Sequence, residues 1–83
     1  MPVTVRVQAL LQVWFNGKSE VQTQGITIGE CLAHLEERFP GLQERLQTAA
    51  IFLNGDAVPT MNGLSIKVKE GDEIRILPRM AGG

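Results

Sequence analysis

A single segment of this chain reads as a long amphipathic helix, and the residues on both sides of it alternate as strands do. Thr27 precedes Glu30 by three positions, the spacing of a capping box, in which each side chain satisfies a backbone N–H that a helix's first turn leaves unpaired. At about 100° per residue, Ile28, Leu32, Leu35 and Phe39 share one narrow sector and Glu37 lies opposite. Pro40-Gly41 ends the helix, and "LQERLQ" after it is expected to add one short helical turn. One helix with one apolar stripe must bury that stripe against something else, and the remainder of the chain supplies only strands.

Val3, Val5 and Val7 alternate with Thr4, Arg6 and Gln8, which predicts a first strand with one side in a core and the other in water. "SEVQTQ" at residues 19–24 is a weaker strand, joined to the first across "FNGK", where Asn16-Gly17 supplies the positive backbone angles of a tight hairpin turn. Beyond the helix, "AIFLN" predicts a strand ended by Asn54-Gly55, followed by an irregular stretch with Pro59 and Asn62-Gly63. "SIKVK" and "EIRIL" are two further strand candidates separated by Gly71-Asp72. In the last of these, Ile74 and Ile76 face one side while Arg75 and Leu77 face the other.

Hairpin, helix, then several short strands cannot be an array of parallel βαβ units. The order suits an α+β domain: one mixed sheet of four to five strands, with the main helix packed on its concave face and the first and last strands adjacent in the middle. That is the β-grasp arrangement. The expected domain covers residues 1–77, and residues 78–83 are expected to form an extended, flexible tail. Eighty-three residues with 43% apolar and 20% charged side chains suit one small globular domain. The lone Cys31 excludes an internal disulfide, so the core must hold the fold.

A formal charge of −1 with no stripe of Lys and Arg argues against nucleic acid as a partner. The sequence shows neither a signal-peptide pattern nor a run long enough to span a membrane, so the expected compartment is the cytoplasm. Ordinary catalysis finds little material. With one Cys, one His and no Tyr, a nucleophile and base could only be Cys31 or a serine with His34. The helical wheel puts Cys31 beside the apolar sector, as a packing residue, and turns His34 to solvent. A zinc site would need more Cys and His than are present, so no metal and no catalytic residue is expected. The nine glycines form no phosphate-binding loop; most lie in turn dipeptides.

There remains the tail "PRMAGG". A Gly-Gly end is compatible with simple fraying, but it has a physical use. Six residues from Pro78 onward reach about 20 Å when extended, enough to carry Gly83 into a pocket of another protein. Glycines pass through channels that would exclude a Cβ. A carboxylate with a pKa of about 3.3 to 3.7 is anionic near neutrality and a poor electrophile. It would need activation, such as adenylation by ATP, before sulfur could replace oxygen.

"EGDEIRILPRMAGG" resembles the C-terminal signature of the ubiquitin-like sulfur carriers, the group that includes the molybdopterin-synthase small subunit and the thiazole-synthesis carrier. "LLQVWFNGKSEVQTQG" and "HLEERFPGLQERL" are similar to the hairpin and helix of the cysteine-synthesis type. The resemblance covers essentially the whole chain and implies a β-grasp fold. It also implies adenylation of Gly83 by an E1-like enzyme using ATP, conversion to a thiocarboxylate, and sulfur delivery to a small-molecule acceptor. The carrier would be a consumed co-substrate rather than an enzyme, binding no cofactor itself. By the same resemblance Gly82 is the second tail glycine, and Ala81, Met80 and Arg79 line the access channel. The cysteine type implies an acceptor synthase that uses pyridoxal phosphate and release by a metalloprotease.

This chain departs from that type at Gln12, where an arginine is usual, and at Phe15-Asn16, where Thr-Gly is usual. Arg79 stands where small or apolar residues are common. The molybdopterin-synthase subunit and a protein modifier attached to lysines are the alternative readings. Trp14 and Phe15 either cover the open end of the core or join Leu77 and Arg75 in a partner-docking patch.

Overall fold

The computed structural model describes residues 2–59 and 62–79. Five strands form one sheet in the order β2-β1-β5-β3-β4, where β1 is Pro2–Val7, β2 is Glu20–Gln24, β3 is Ala49–Leu53, β4 is Asp56–Ala57 and β5 is Glu73–Pro78. β1 and β5 run parallel in its middle, with Val5 opposite Ile74 and Val7 opposite Ile76. β2 pairs antiparallel with β1, and β3 pairs antiparallel with β5. The helix α1 (Ile28–Arg38) packs on one face, followed by the short α2 (Leu42–Leu46). This is the ubiquitin-like β-grasp, with the first and last strands adjacent as the element order predicted.

The period-two pattern explains the core. Val3, Val5, Val21, Ile74 and Ile76 point from the sheet onto Ile28, Cys31, Leu32 and Leu35 of α1, and all are buried. The start of α1 follows the predicted cap: Thr27 Oγ1 accepts from the Glu30 N–H at 3.1 Å. The Glu30 carboxylate reaches back to the Ile26 N–H at 3.0 Å, one residue earlier than an ordinary capping box. Gly25 lets β2 run directly into this turn, because a Cβ there would stand 2.7 Å from the Glu30 Cβ and 2.9 Å from the Cys31 nitrogen.

Three expectations need correction. The chain between β1 and β2 is not a tight hairpin turn but a 3-10 helix, Ala9–Phe15, even though the two strands pair as expected. Its apolar run folds back because Leu11 and Phe15 can reach the core, where the Phe15 ring meets Phe39 edge-on at 5.1 Å. Asn16 (φ 58°) and Gly17 (φ 84°) take the positive angles expected of them but close this helix instead of a hairpin. The tight hairpin lies at Asn54 (φ 51°) and Gly55 (φ 91°), where Leu53 faces Asp56 across a two-residue loop.

The second correction concerns "SIKVK", which is not a sheet strand. It contributes part of a short 3-10 turn, Gly63–Ser65, and a single bridge from Lys67 to Thr27. Ile66 and Val68 spend their backbone bonds on Ile28 and Ile26, at the entrance to α1 rather than in the sheet. Third, His34 is not turned fully to solvent. It is half-buried with Nδ1 3.0 Å from Thr23 Oγ1, whose hydroxyl donates to the Cys31 carbonyl at 2.8 Å. The threonine proton is committed to that carbonyl, so the histidine must supply the proton of the second bond.

Asp72, buried at the start of β5, accepts from the Lys69 N–H at 2.9 Å and from the Asn54 amide at 3.1 Å. The Lys69 N–H first, and then Asn54, hold its carboxyl below the usual carboxylate range. Folding therefore favours the ionised form, and this contribution is complete above the ordinary Asp value of about 3.9 and disappears as pH falls through the lower folded value. Urea unfolding across pH should show the gap between wild type and Asp72→Asn widest at neutrality and closing below about pH 4; a gap independent of pH would contradict the assignment. Thr27→Ala should cost about 1 kcal/mol, lowering the melting temperature by roughly 4–8 °C in a domain of this size.

Candidate functional site

The tail's root is set by β5. As the middle strand of the sheet, it is held on both sides by backbone ladders, to β1 and to β3. Pairing continues past Leu77, because Pro78 faces Ala49 and the Arg79 N–H donates to the Thr48 carbonyl at 3.4 Å. The Arg79 guanidinium adds a bond to the Ala49 carbonyl at 3.3 Å. Whatever follows Arg79 therefore starts from a fixed position at one end of the sheet. Met80, Ala81, Gly82 and Gly83 lie outside the described residues.

Two surfaces adjoin this root. The first is the outer face of the sheet, where Arg75 is exposed and Leu77 is half-buried, on the side opposite Ile74 and Ile76 as the alternation predicted. β3 adds Ala50 opposite Leu77 and Phe52 opposite Arg75, and Ala57 of β4 faces Phe52, so an apolar strip crosses three strands. Phe52 escaped the sequence reading, although alternation within "AIFLN" places Ala50 and Phe52 on a different face from Ile51 and Leu53. Beside the strip, Arg6 lies between Glu20 at 3.1 Å and Glu73, and Arg75 bonds Glu73 at 3.1 Å. Arg6 first, and then Arg75, hold the Glu73 carboxyl below its usual range. These pairs are solvent-exposed and add little stability; their effect is to hold two guanidinium groups flat on the face.

The second surface is the 3-10 helix. Of the two aromatic candidates it carries, Phe15 is completely buried and belongs to the core, so it is not an exposed docking residue. Trp14 is half-buried against the same core. The large apolar side chains that this helix does present to solvent are Leu10 and Val13.

The described residues offer little chemistry of their own. Cys31 is buried, and its burial pushes the thiol upward, away from the reactive thiolate. His34 bonds Thr23. Among the described residues no group of three or more His, Cys, Asp or Glu side chains could hold a metal, and no helix is long and apolar enough to cross a membrane. The described residues form one packed body that holds Pro78 and Arg79 at one end of the sheet.

Known proteins resemble this chain in sequence and fold. The ThiS family profile matches residues 5–83. The sulfur carrier protein CysO of Mycobacterium tuberculosis is 31% identical over 93 aligned positions that cover both chains in full. The molybdopterin synthase sulfur carrier subunit of the same organism is 30% identical over 67 positions, covering 80% of this chain and 76% of its own. Among solved structures, a chain of the Amycolatopsis orientalis BexX/CysO complex superposes with a TM-score of 0.84 at 32% identity, over 98% of this chain and 99% of its own.

Replacing Arg79 by alanine removes the guanidinium bond to Ala49 but leaves the strand ladder in place. Amide hydrogen exchange at Arg79 should accelerate by several-fold, while global stability changes by no more than about 0.5 kcal/mol. Unaltered exchange would show that the side chain does not secure the tail's root.

Proposed function

This chain belongs to the ThiS family, whose match runs from residue 5 through Gly83, and on that premise we propose that it is a sulfur carrier protein with its sulfur held at Gly83. The full-length likeness to a curated sulfur carrier carries this reading. The root fixed at Pro78 and Arg79 supports a tail that is presented to a partner.

The chemistry follows from the state of a free carboxyl group. An E1-like partner binds ATP, and a carboxylate oxygen of Gly83 attacks the α-phosphorus, releasing pyrophosphate and forming an acyl-adenylate. A sulfur donor at the oxidation level of sulfide then attacks the carbonyl carbon. The C–O bond to AMP breaks, AMP leaves, and a thiocarboxylate remains. The carrier itself binds no cofactor in this scheme; ATP belongs to the partner. Gly82 keeps the approach to the carbonyl free of side chains, and Met80, Ala81 and Arg79 line the channel outside it. Leu77 and Arg75, with Trp14 at the end of the core, meet the partner's surface.

An acceptor synthase takes the sulfur next. One solved neighbour is a CysO complex with BexX, which supports a carrier that docks on a second enzyme. The fuller coverage by the cysteine-type relative favours cysteine or a thiocarboxylate metabolite as product, made by a synthase of the pyridoxal-phosphate class with later release by a metalloprotease, in the cytoplasm. The 30% likeness to the molybdopterin synthase subunit supports a second reading with a different acceptor.

Intact-mass spectrometry should find an oxygen-to-sulfur increase at Gly83 after incubation with the cognate activating enzyme, ATP and sulfide. A variant lacking Gly83 should show none. Failure of the full chain to gain sulfur would count against the carrier reading, whereas lysine conjugates in its place would identify a protein modifier.

A further inference from the structure

Leu10 and Val13 are each 74% exposed, more than any other large apolar side chain among the described residues. They lie three positions apart in a 3-10 helix, where residues i and i+3 eclipse, so both project from the same side. The helix that presents them is firmly held. The Gln8 carboxamide accepts from the Leu10 N–H at 2.8 Å, the Gln12 amide donates to the Val7 carbonyl at 3.2 Å, and Leu11 and Phe15 are sunk in the core. The pair is thus a preformed apolar projection and not the crest of a loose loop.

Its place follows from the sheet. β1 and β5 are parallel, so the helix that follows β1 sits at the end of the sheet from which the tail departs. The Gln8 N–H donates to the Ile76 carbonyl at 3.1 Å and ties the two together. Leu10 is two residues from one side of that bond and Pro78 two from the other, so their backbones are separated by no more than roughly 17 Å. A shallow depression lined by Arg6, Val7, Gln8, Ser19, Arg75 and Leu77 lies at this end of the sheet, so Gln8 at the start of the helix and the outer-face residues Arg75 and Leu77 border one surface.

We propose that Leu10 and Val13 form a docking knob for the activating enzyme that adenylates Gly83, and that this enzyme carries an apolar recess beside the mouth of its cleft. The proposal rests on reading the chain as a tail donor. The tail of residues 78–83 spans about 20 Å at most, so an enzyme holding the Gly83 carboxylate must bring its surface against this end of the domain. A second copy of the chain seated there would instead stand across the tail's path.

The test uses the full chain, the cognate activating enzyme and ATP, with pyrophosphate release as the readout. The double variant Leu10→Ser, Val13→Ser should raise the KM for the carrier by roughly tenfold, with kcat little changed and no loss of melting temperature. Ile26→Ser serves as the control, since Ile26 is 66% exposed but follows β2 at the opposite end of the sheet. An unchanged KM for the double variant, while the wild type is adenylated normally, overturns the knob and leaves the carrier reading standing. An equal rise with Ile26→Ser also overturns it, as does a wild-type dimer in sedimentation that the double variant abolishes. If the wild type releases no pyrophosphate, the carrier reading itself fails and the knob with it.

Discussion

The parallel pairing of β1 with β5 is the contact on which the rest of the fold depends. It joins residues near the two ends of the described chain, with Thr4 opposite Glu73 and Val7 opposite Ile76, and everything between them must fold around that closure. Closing so long a loop carries an entropic cost that no local turn can offset. Burial offsets it: Val3, Val5, Ile74 and Ile76 leave water together against α1. A slip of one residue would expose this whole set, so the pairing has one acceptable register.

That closure also fixes where β5 ends. A tail growing from an edge strand would inherit that strand's fraying, whereas β5 is held by ladders on both sides as far as Ile76 and by β3 alone to Pro78. The Arg79 bonds to Thr48 and Ala49 extend the hold one residue further. The described body therefore fixes the position from which the chain continues beyond Arg79. Inside, the thiol of Cys31 is buried and the imidazole of His34 is bonded to Thr23.

The surfaces next to the root differ in kind. The outer sheet face mixes an apolar strip from Leu77, Ala50 and Phe52 with guanidinium groups held by Glu20 and Glu73. The 3-10 helix presents two aliphatic side chains and little charge. A partner that meets both reads position and composition at once, and electrostatics at the outer face would set encounter and orientation more than affinity.

Much of this was legible in the residues because it depends on near neighbours. The valine alternation of β1, the cap formed by Thr27 and Glu30, and the αL preferences of Asn16, Gly17, Asn54 and Gly55 are local properties, and each appears in the fold. What could not be read there was which apolar segment would find room in the core. Nothing local distinguishes Asn16-Gly17 from Asn54-Gly55, yet one closes a helix and the other a hairpin, because Phe15 has Phe39 to pack against. "SIKVK" alternates like a strand but meets the entrance of α1 instead of the sheet, and His34 leaves solvent only because β2 places Thr23 beside it. Leu10 and Val13 became surface for the same reason: a 3-10 helix with Leu11 and Phe15 turned inward has no choice about where its remaining side chains point. Local sequence decided what each segment could be, and competition for one shared core decided which of those possibilities was realised.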